Sequence, residues 1–218
     1  MKAYKAFYPG LQSFNGMRFE TGKRYTTADA GIGRNGFHAA LDPMFCLGFV
    51  SPERGGEYHE VEVGGIVDHG DLGGDGGCGR YSAVSAQTIR VGRKMSVADM
   101  LRRCMDYRLS LCARECSGMG SGYCVRVVND GRFGTCTASG ELCSGVARDS
   151  DSEAFVSGER CLAVACGPYS SAMVEPKSRN CLAVATGEGA RIGGCQDTWL
   201  LFVSPATRCR RGSSPAKS

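Results

Sequence analysis

The side chains in this chain that could do chemistry are three histidines, thirteen cysteines and one cluster of carboxylates, and their spacing decides which of them could cooperate. His38 follows Gly36-Phe37 and precedes Asp42-Pro43, so it could act as a general acid or base in a cleft shared with Tyr25 and Asp42. No serine or cysteine nucleophile is identifiable beside it, and a histidine satisfied by backbone hydrogen bonds is the favoured reading. His38, Tyr25 and Asp42 are therefore ligand-site candidates, and no catalytic residue is assigned. Asp68, Asp71 and Asp75 with His69 form an acidic, glycine-rich loop whose oxygens would suit a hard cation. The EF-hand pattern and its closing glutamate are missing, so a solvated connection between strands is expected. Gly31-Ile-Gly33-Arg-Asn-Gly36 spells G-x-G-x-x-G. It lacks both the preceding apolar strand and the following long helix of a dinucleotide site, so a glycine turn is expected.

The cysteines are odd in number, contain no C-x-x-C, and have no histidine within a few residues of a cysteine pair. Zinc-ligand spacing is absent, and neither a metal nor a cofactor is expected. No apolar h-region follows the first ten residues and no run of 18 apolar residues occurs, so neither secretion nor membrane insertion is encoded. Free thiols in a reducing cytoplasm follow.

The elements that must position these residues come from a glycine-rich chain poor in large aliphatics. Of 218 residues 32 are glycine, and leucine, isoleucine, valine and phenylalanine together number 41. A formal charge of +4 is small, and Arg208, Arg210, Arg211 and Lys217 carry all of it, which leaves residues 1–207 neutral. The body has no basic stripe with which to neutralise phosphates, and a nucleic-acid role is not expected beyond a weak electrostatic tail.

Residues 2–8 read as a strand ended by Pro9-Gly10, and Met17–Phe19 with Arg24–Thr26 read as a hairpin across Thr21-Gly22-Lys23. Asp42-Pro43 pairs an N-cap acceptor with a proline at the first helical position and predicts a short helix to about Val50. Strands are expected over 58–66 and 83–91. Ser96-Val-Ala-Asp99 is a near capping box that opens the one clear helix, with a stripe running from Val97 through Leu101, Cys104 and Arg108 to Cys112 and Glu115. Cys104, Cys112 and Cys116 are expected to pack in its core.

From Ser117 the composition shifts to Gly, Ser, Ala, Cys and Val, and β-compatible tetrapeptides recur between turn residues. They end in Val146, Val156, Val164, Val174 and Val184, at spacings of 10, 8, 10 and 10. A short fixed period of this kind predicts a stacked β-solenoid of roughly ten-residue coils, whose narrow interior admits only small side chains. The expected core is Cys143, Val146, Val156, Cys161, Val164, Val174, Cys181 and Val184, with Ser171 taking the place of cysteine in one coil. The thiols are read as packing residues. Gln196–Val203, which holds the single tryptophan, is expected to cap the stack or pair back onto the first domain.

Lys2-Ala-Tyr-Lys-Ala-Phe7, Met17-Arg-Phe19, Gly22-Lys-Arg-Tyr25, Gly36-Phe-His-Ala39 and Asp42-Pro43 occur in an order that resembles an uncharacterised domain family found mainly in phage and prophage genes. The likeness continues through Glu60-Val-Glu-Val63, the acidic loop, short Ala/Ser-rich repeats and a closing Trp199-Leu segment. It implies architecture and a mobile-element origin but no activity. The repeats are also loosely similar to the β-roll heads of trimeric autotransporter adhesins, a likeness that implies a homotrimer. Here the repeats are less regular than in the phage family and cysteine is more abundant.

The reading that results is an α+β N-terminal domain over residues 1–117, followed by a short, β-roll-like β-solenoid over 118–195. An exit or capping strand occupies 196–204 and a disordered basic tail 205–218. The expected role is a non-enzymatic phage or prophage protein in the bacterial cytoplasm or the virion, contacting a protein partner or itself through the rigid repeats. A small enzyme or ligand-binding domain in residues 1–117, with His38 in a cleft, is the alternative.

Overall fold

The computed structural model describes residues 1–70, 83–111 and 114–203. Asp71 and Asp75 of the acidic loop, Cys112 and the basic tail lie outside the described residues. The chain divides into two compact units, Met1–Ala113 and Arg114–Ser218.

The first unit contains β1 (Lys2–Phe7), β2 (Arg24–Thr26), β3 (Phe37–Ala40), α1 (Pro43–Phe49), β4 (Glu57–Gly70), β5 (Ala83–Met95) and α2 (Val97–Leu111). β4 and β5 pair along most of their length, β5 also pairs with β3, β3 with β1, and β1 with β4. These antiparallel pairings close into a ring. Alternation along the strands turns Ala3, Phe7, Phe37, Val61, Val84 and Ile89 into one core, so the unit is mostly β with two helices beside the sheet. The hairpin expected across Thr21–Lys23 is replaced by a different pairing, because Arg24–Thr26 lies along β5 instead.

Both helices start where side-chain chemistry dictates. Asp42 accepts from the Met44 N–H at 3.0 Å with Pro43 at the first position of α1. Ser96 Oγ accepts from the Asp99 N–H at 3.1 Å and Asp99 accepts from the Ser96 N–H at 3.3 Å, which completes the capping box of α2. The helical stripe stops earlier than the sequence suggests. α2 ends at Leu111, and Cys116 belongs to a strand, so only Cys104 of the three expected helix thiols is placed in the helix core. No described helix is long and apolar enough to cross a membrane.

The second unit is a solenoid-like stack of parallel strands in two sheets. One sheet contains β6 (Arg114–Ser117), β8 (Val125–Asn129), β10 (Ser144–Ala147), β12 (Leu162–Ala165), β14 (Cys181–Ala185) and β16 (Thr198–Phe202). The other contains β7 (Met119–Tyr123), β9 (Thr135–Glu141), β11 (Glu153–Glu159), β13 (Ser171–Val174) and β15 (Arg191–Gly193). Ser144 lies opposite Leu162, and Leu162 opposite Leu182, so these two coils take 18 and 20 residues and two strands each. The ten-residue spacing in the sequence is the half-coil, since successive tetrapeptides go to opposite sheets.

That alternation also corrects the expected core. Cys143, Cys161 and Cys181 form one column and face the interior with Val156 and Val174 of the other sheet. Val146, Val164 and Val184 form a separate column and are buried, but strand periodicity turns them to the opposite face from Cys143, Ala163 and Ala183. Ser171 lies opposite Glu153 and Arg191 in the second sheet, outside the thiol column. The interior is narrow: a Cβ built on Gly145 would stand 3.2 Å from Val156 Cγ1 and 3.3 Å from the Phe155 carbonyl oxygen. Small side chains are a steric requirement there.

The chain turns a corner through a left-handed residue just before β8, β10, β12 and β14: Cys124, Leu142, Arg160 and Asn180 have φ between 51° and 57°. Non-glycine residues occupy that region at a cost of about 1–2 kcal/mol each. The next coil offsets it, because the Leu142 N–H donates to the Glu159 oxygen at 3.0 Å and the Arg160 N–H to the Arg179 oxygen at 2.8 Å. The thiols complete the ladder. Cys143 donates to the Gly122 oxygen at 3.1 Å and Cys161 to the Gly140 oxygen at 3.3 Å. Hydrogen bonds within the thiol column raise the Cys161 thiol above the ordinary range and lower that of Cys143.

Gly158 has φ 118°, and a Cβ there would overlap the Gly140 carbonyl of the neighbouring coil. Gly158→Ala is expected to destabilise the stack by about 3 kcal/mol or more in denaturant titrations, against less than about 0.5 kcal/mol for Gly131→Ala at an exposed turn.

Candidate groove of the N-terminal unit

β1, β3, α1 and the loop after β1 converge on a groove of about 510 Å³. Tyr4 and Lys5 come from β1, Phe37 and His38 from β3, Phe45 and Phe49 from α1, and Phe14 and Met17 from the loop. Phe14 and Phe49 stand at 82% and 58% exposure, which gives the groove an aromatic rim in water. Lys5 and Arg34 are the charged side chains that line it, and no carboxylate does so.

Lys5 occupies a position on β1 whose same-face neighbours, Ala3 and Phe7, are fully buried. Strand periodicity therefore draws its stem toward the apolar core. Its ammonium donates to the His38 carbonyl at 2.6 Å and lies 5.7 Å from the centre of the Phe7 ring. No described carboxylate stands within ion-pair distance. Desolvation lowers the Lys5 pKa to about 8, so near neutral pH the groove contains a cation that has shed much of its water and has no counter-charge.

His38 lies in this groove with its reactive nitrogen engaged. The Gly33 N–H donates to His38 Nε2 at 3.0 Å, so the proton of the neutral ring sits on Nδ1. Burial and then the Lys5 charge push the His38 pKa below the usual histidine range. The loop making this contact is the G-x-G-x-x-G segment: the Asn35 N–H returns to the Gly31 oxygen at 3.1 Å, and the turn runs directly into β3. Cys46 also lines the groove, and burial pushes its thiol up to about 12, so no thiolate forms at neutral pH.

The other two candidates lie elsewhere. Tyr25 accepts from the Glu20 N–H at 2.9 Å and packs edge-on against Phe19, with ring centres 4.8 Å apart. Asp42 is completely buried, and besides capping α1 it receives Arg108 of α2 through Nε at 3.3 Å and Nη2 at 3.2 Å, and the Cys104 thiol at 3.4 Å. It ties α1 to α2 and does not line the groove. His59 is buried with Nδ1 at 3.0 Å from the Gly92 oxygen and no partner for Nε2. Asp68 accepts from the Ile32 N–H at 2.9 Å, which holds the glycine turn in place. Among the described residues no group of three or more His, Cys, Asp or Glu comes together to hold a metal ion.

The sequence did not single out Lys5, Arg34 or the aromatic rim. The available signal was a charged residue at a core-facing position of β1, between Ala3 and Phe7.

Residues 1–103 match a family model described as a domain of unknown function, DUF7666, so this part of the chain is similar to an uncharacterised family. No curated protein and no solved structure matches the chain.

Asp42→Ala would strip α1 of its cap and leave the Arg108 charge buried without its carboxylate. A loss of about 3–5 kcal/mol is expected in chemical denaturation, with part of it restored when Arg108→Met is added. A ligand-site aspartate would instead lose binding at unchanged stability.

Proposed function

We propose that the protein is a non-enzymatic binding protein whose N-terminal unit takes a small apolar molecule carrying one anionic group, such as an aromatic carboxylate. The observation behind this reading is the Lys5 ammonium in an aromatic groove with no carboxylate lining it. Such a site favours a ligand that supplies the missing negative charge and covers the Phe14 and Phe49 rims with its apolar body. Arg34 offers a second cation near the mouth.

An acid–base role for His38 is the weaker reading. Its Nε2 is committed to the Gly33 N–H, and the neighbouring Cys46 is a protonated, buried thiol. The stacked second unit supplies a rigid scaffold for contact with a protein partner or a second copy. The motif likeness to phage and prophage genes supports a mobile-element origin and a place of action in the bacterial cytoplasm.

Calorimetric titration with 2-naphthoate tests this reading. Lys5→Met is expected to weaken binding about tenfold or more, the worth of one charge-assisted hydrogen bond, while folding is retained. The charged form of Lys5 holds the anion, so wild-type affinity falls as pH rises through about 8, whereas Lys5→Met shows no such decline. Equal affinity in the two proteins, or no binding by the wild type, contradicts the proposal.

A further inference from the structure

The two parallel sheets of the second unit differ in what their outward faces meet. In the first sheet, β10, β12 and β14 are buried at every position, as in Leu162-Ala-Val-Ala165. In the second sheet burial alternates: Ala154 and Val156 face the interior while Glu153 and Phe155 are exposed. Its outward face therefore meets water.

Register makes that face a set of straight columns. One is apolar at three of its levels, running through Met119, Thr137, Phe155, Met173 and Gly193. Met119 is 79% and Phe155 37% exposed. The adjacent outward column runs Thr135, Glu153, Ser171, Arg191 and holds one acid and one base, two coils apart, with Ser171 midway between them. Met173 bends over Gly193, where a Cβ would meet its terminal methyl at 2.6 Å, so this flexible side chain covers the end of the column.

We infer that this outward face is a two-fold interface between two copies of this chain. A two-fold axis running parallel to the strands, in the plane between the two faces and directly in front of β13, keeps each column facing its own counterpart while reversing the order of coils. β11 then lies over the partner's β15. Glu153 meets the partner's Arg191, Arg191 meets the partner's Glu153, and Phe155 meets the partner's Met173 where that side chain covers Gly193. Glu153 and Arg191 are complementary across this axis and Phe155 and Met173 supply the apolar strip beside them, as an isologous contact requires, while β7 with Met119 lies beyond the strands that overlap. An axis perpendicular to the sheet would not bring the two faces together. The strip is smaller than the core of a permanent dimer, so association is reversible, with a dissociation constant of about 10–100 μM.

Sedimentation velocity on the full chain between about 5 and 500 μM tests this inference. The wild type is expected to pass from monomer to dimer with concentration. Glu153→Arg alone and Arg191→Glu alone, both at exposed positions, weaken the dimer about tenfold or more, and the double exchange restores it to within about threefold. Circular dichroism of each variant confirms that the stack is intact. A monomer throughout, a trimer, a dimer indifferent to Glu153→Arg, or a double exchange that fails to restore association overturns the inference.

Discussion

A polar group withdrawn from water is costly unless it finds a partner in the protein, and both units are organised around that cost, with His59 Nε2 as an exception. In the stack the buried interior cluster consists of Ala, Cys and Val, and the central coils turn between the two sheets within 18 or 20 residues. Each corner turns amides toward the neighbouring coil, and that coil's carbonyls accept them, as Leu142 and Arg160 show. The cysteine thiols meet the same need in miniature: they fill a small apolar site and still donate to a backbone carbonyl. In the N-terminal unit Asp42 and Arg108 are buried as a pair, and the Asp42 carboxylate caps a helix at the same time. Lys5 departs from this pattern within a groove: a cation with one backbone carbonyl and no carboxylate among the residues that line it. That departure is the basis of the ligand preference proposed for the groove.

Much of the stack was legible in the sequence, and its period was misread for an identifiable reason. The five tetrapeptides ending in valine belong to two classes. Cys143-Ser-Gly-Val146, Cys161-Leu-Ala-Val164 and Cys181-Leu-Ala-Val184 enter the sheet that is buried on both faces. Glu153-Ala-Phe-Val156 and Ser171-Ala-Met-Val174 enter the sheet whose outward face meets water. Grouping all five by their valines gives a half-coil, whereas the cysteines alone carry the full period. The polar first residue of the second class was the sign of an exposed face. Scarce large aliphatics did report the interior correctly, because the distance between facing strands fixes side-chain volume.

The N-terminal unit was less legible because its closure is non-local. Nothing in Arg24–Thr26 says that it pairs with a strand more than sixty residues away, and the local turn at Thr21–Lys23 suggested a hairpin instead. His38 was found because glycine and histidine are conspicuous in sequence, but its hydrogen-bond state depends on a turn five residues earlier. Asp42 was seen correctly as a helix cap; as a ligand-site candidate it lies buried between α1 and α2 and does not line the groove. Its partner Arg108 sat within a stripe of apolar residues, where a buried arginine calls for a buried acid. Lys5 was hidden in a strand whose alternation, followed strictly, places a charge on the core side.

The central claim is that Lys5 is held as a desolvated cation awaiting an anion. The most direct measurement is its titration by NMR of selectively 13Cε-labelled lysine, in the free protein and with 2-naphthoate bound. The account predicts a Lys5 pKa of about 8 in the free protein, rising when the carboxylate binds. A free value in the ordinary lysine range, or one that the ligand leaves unchanged, would contradict it.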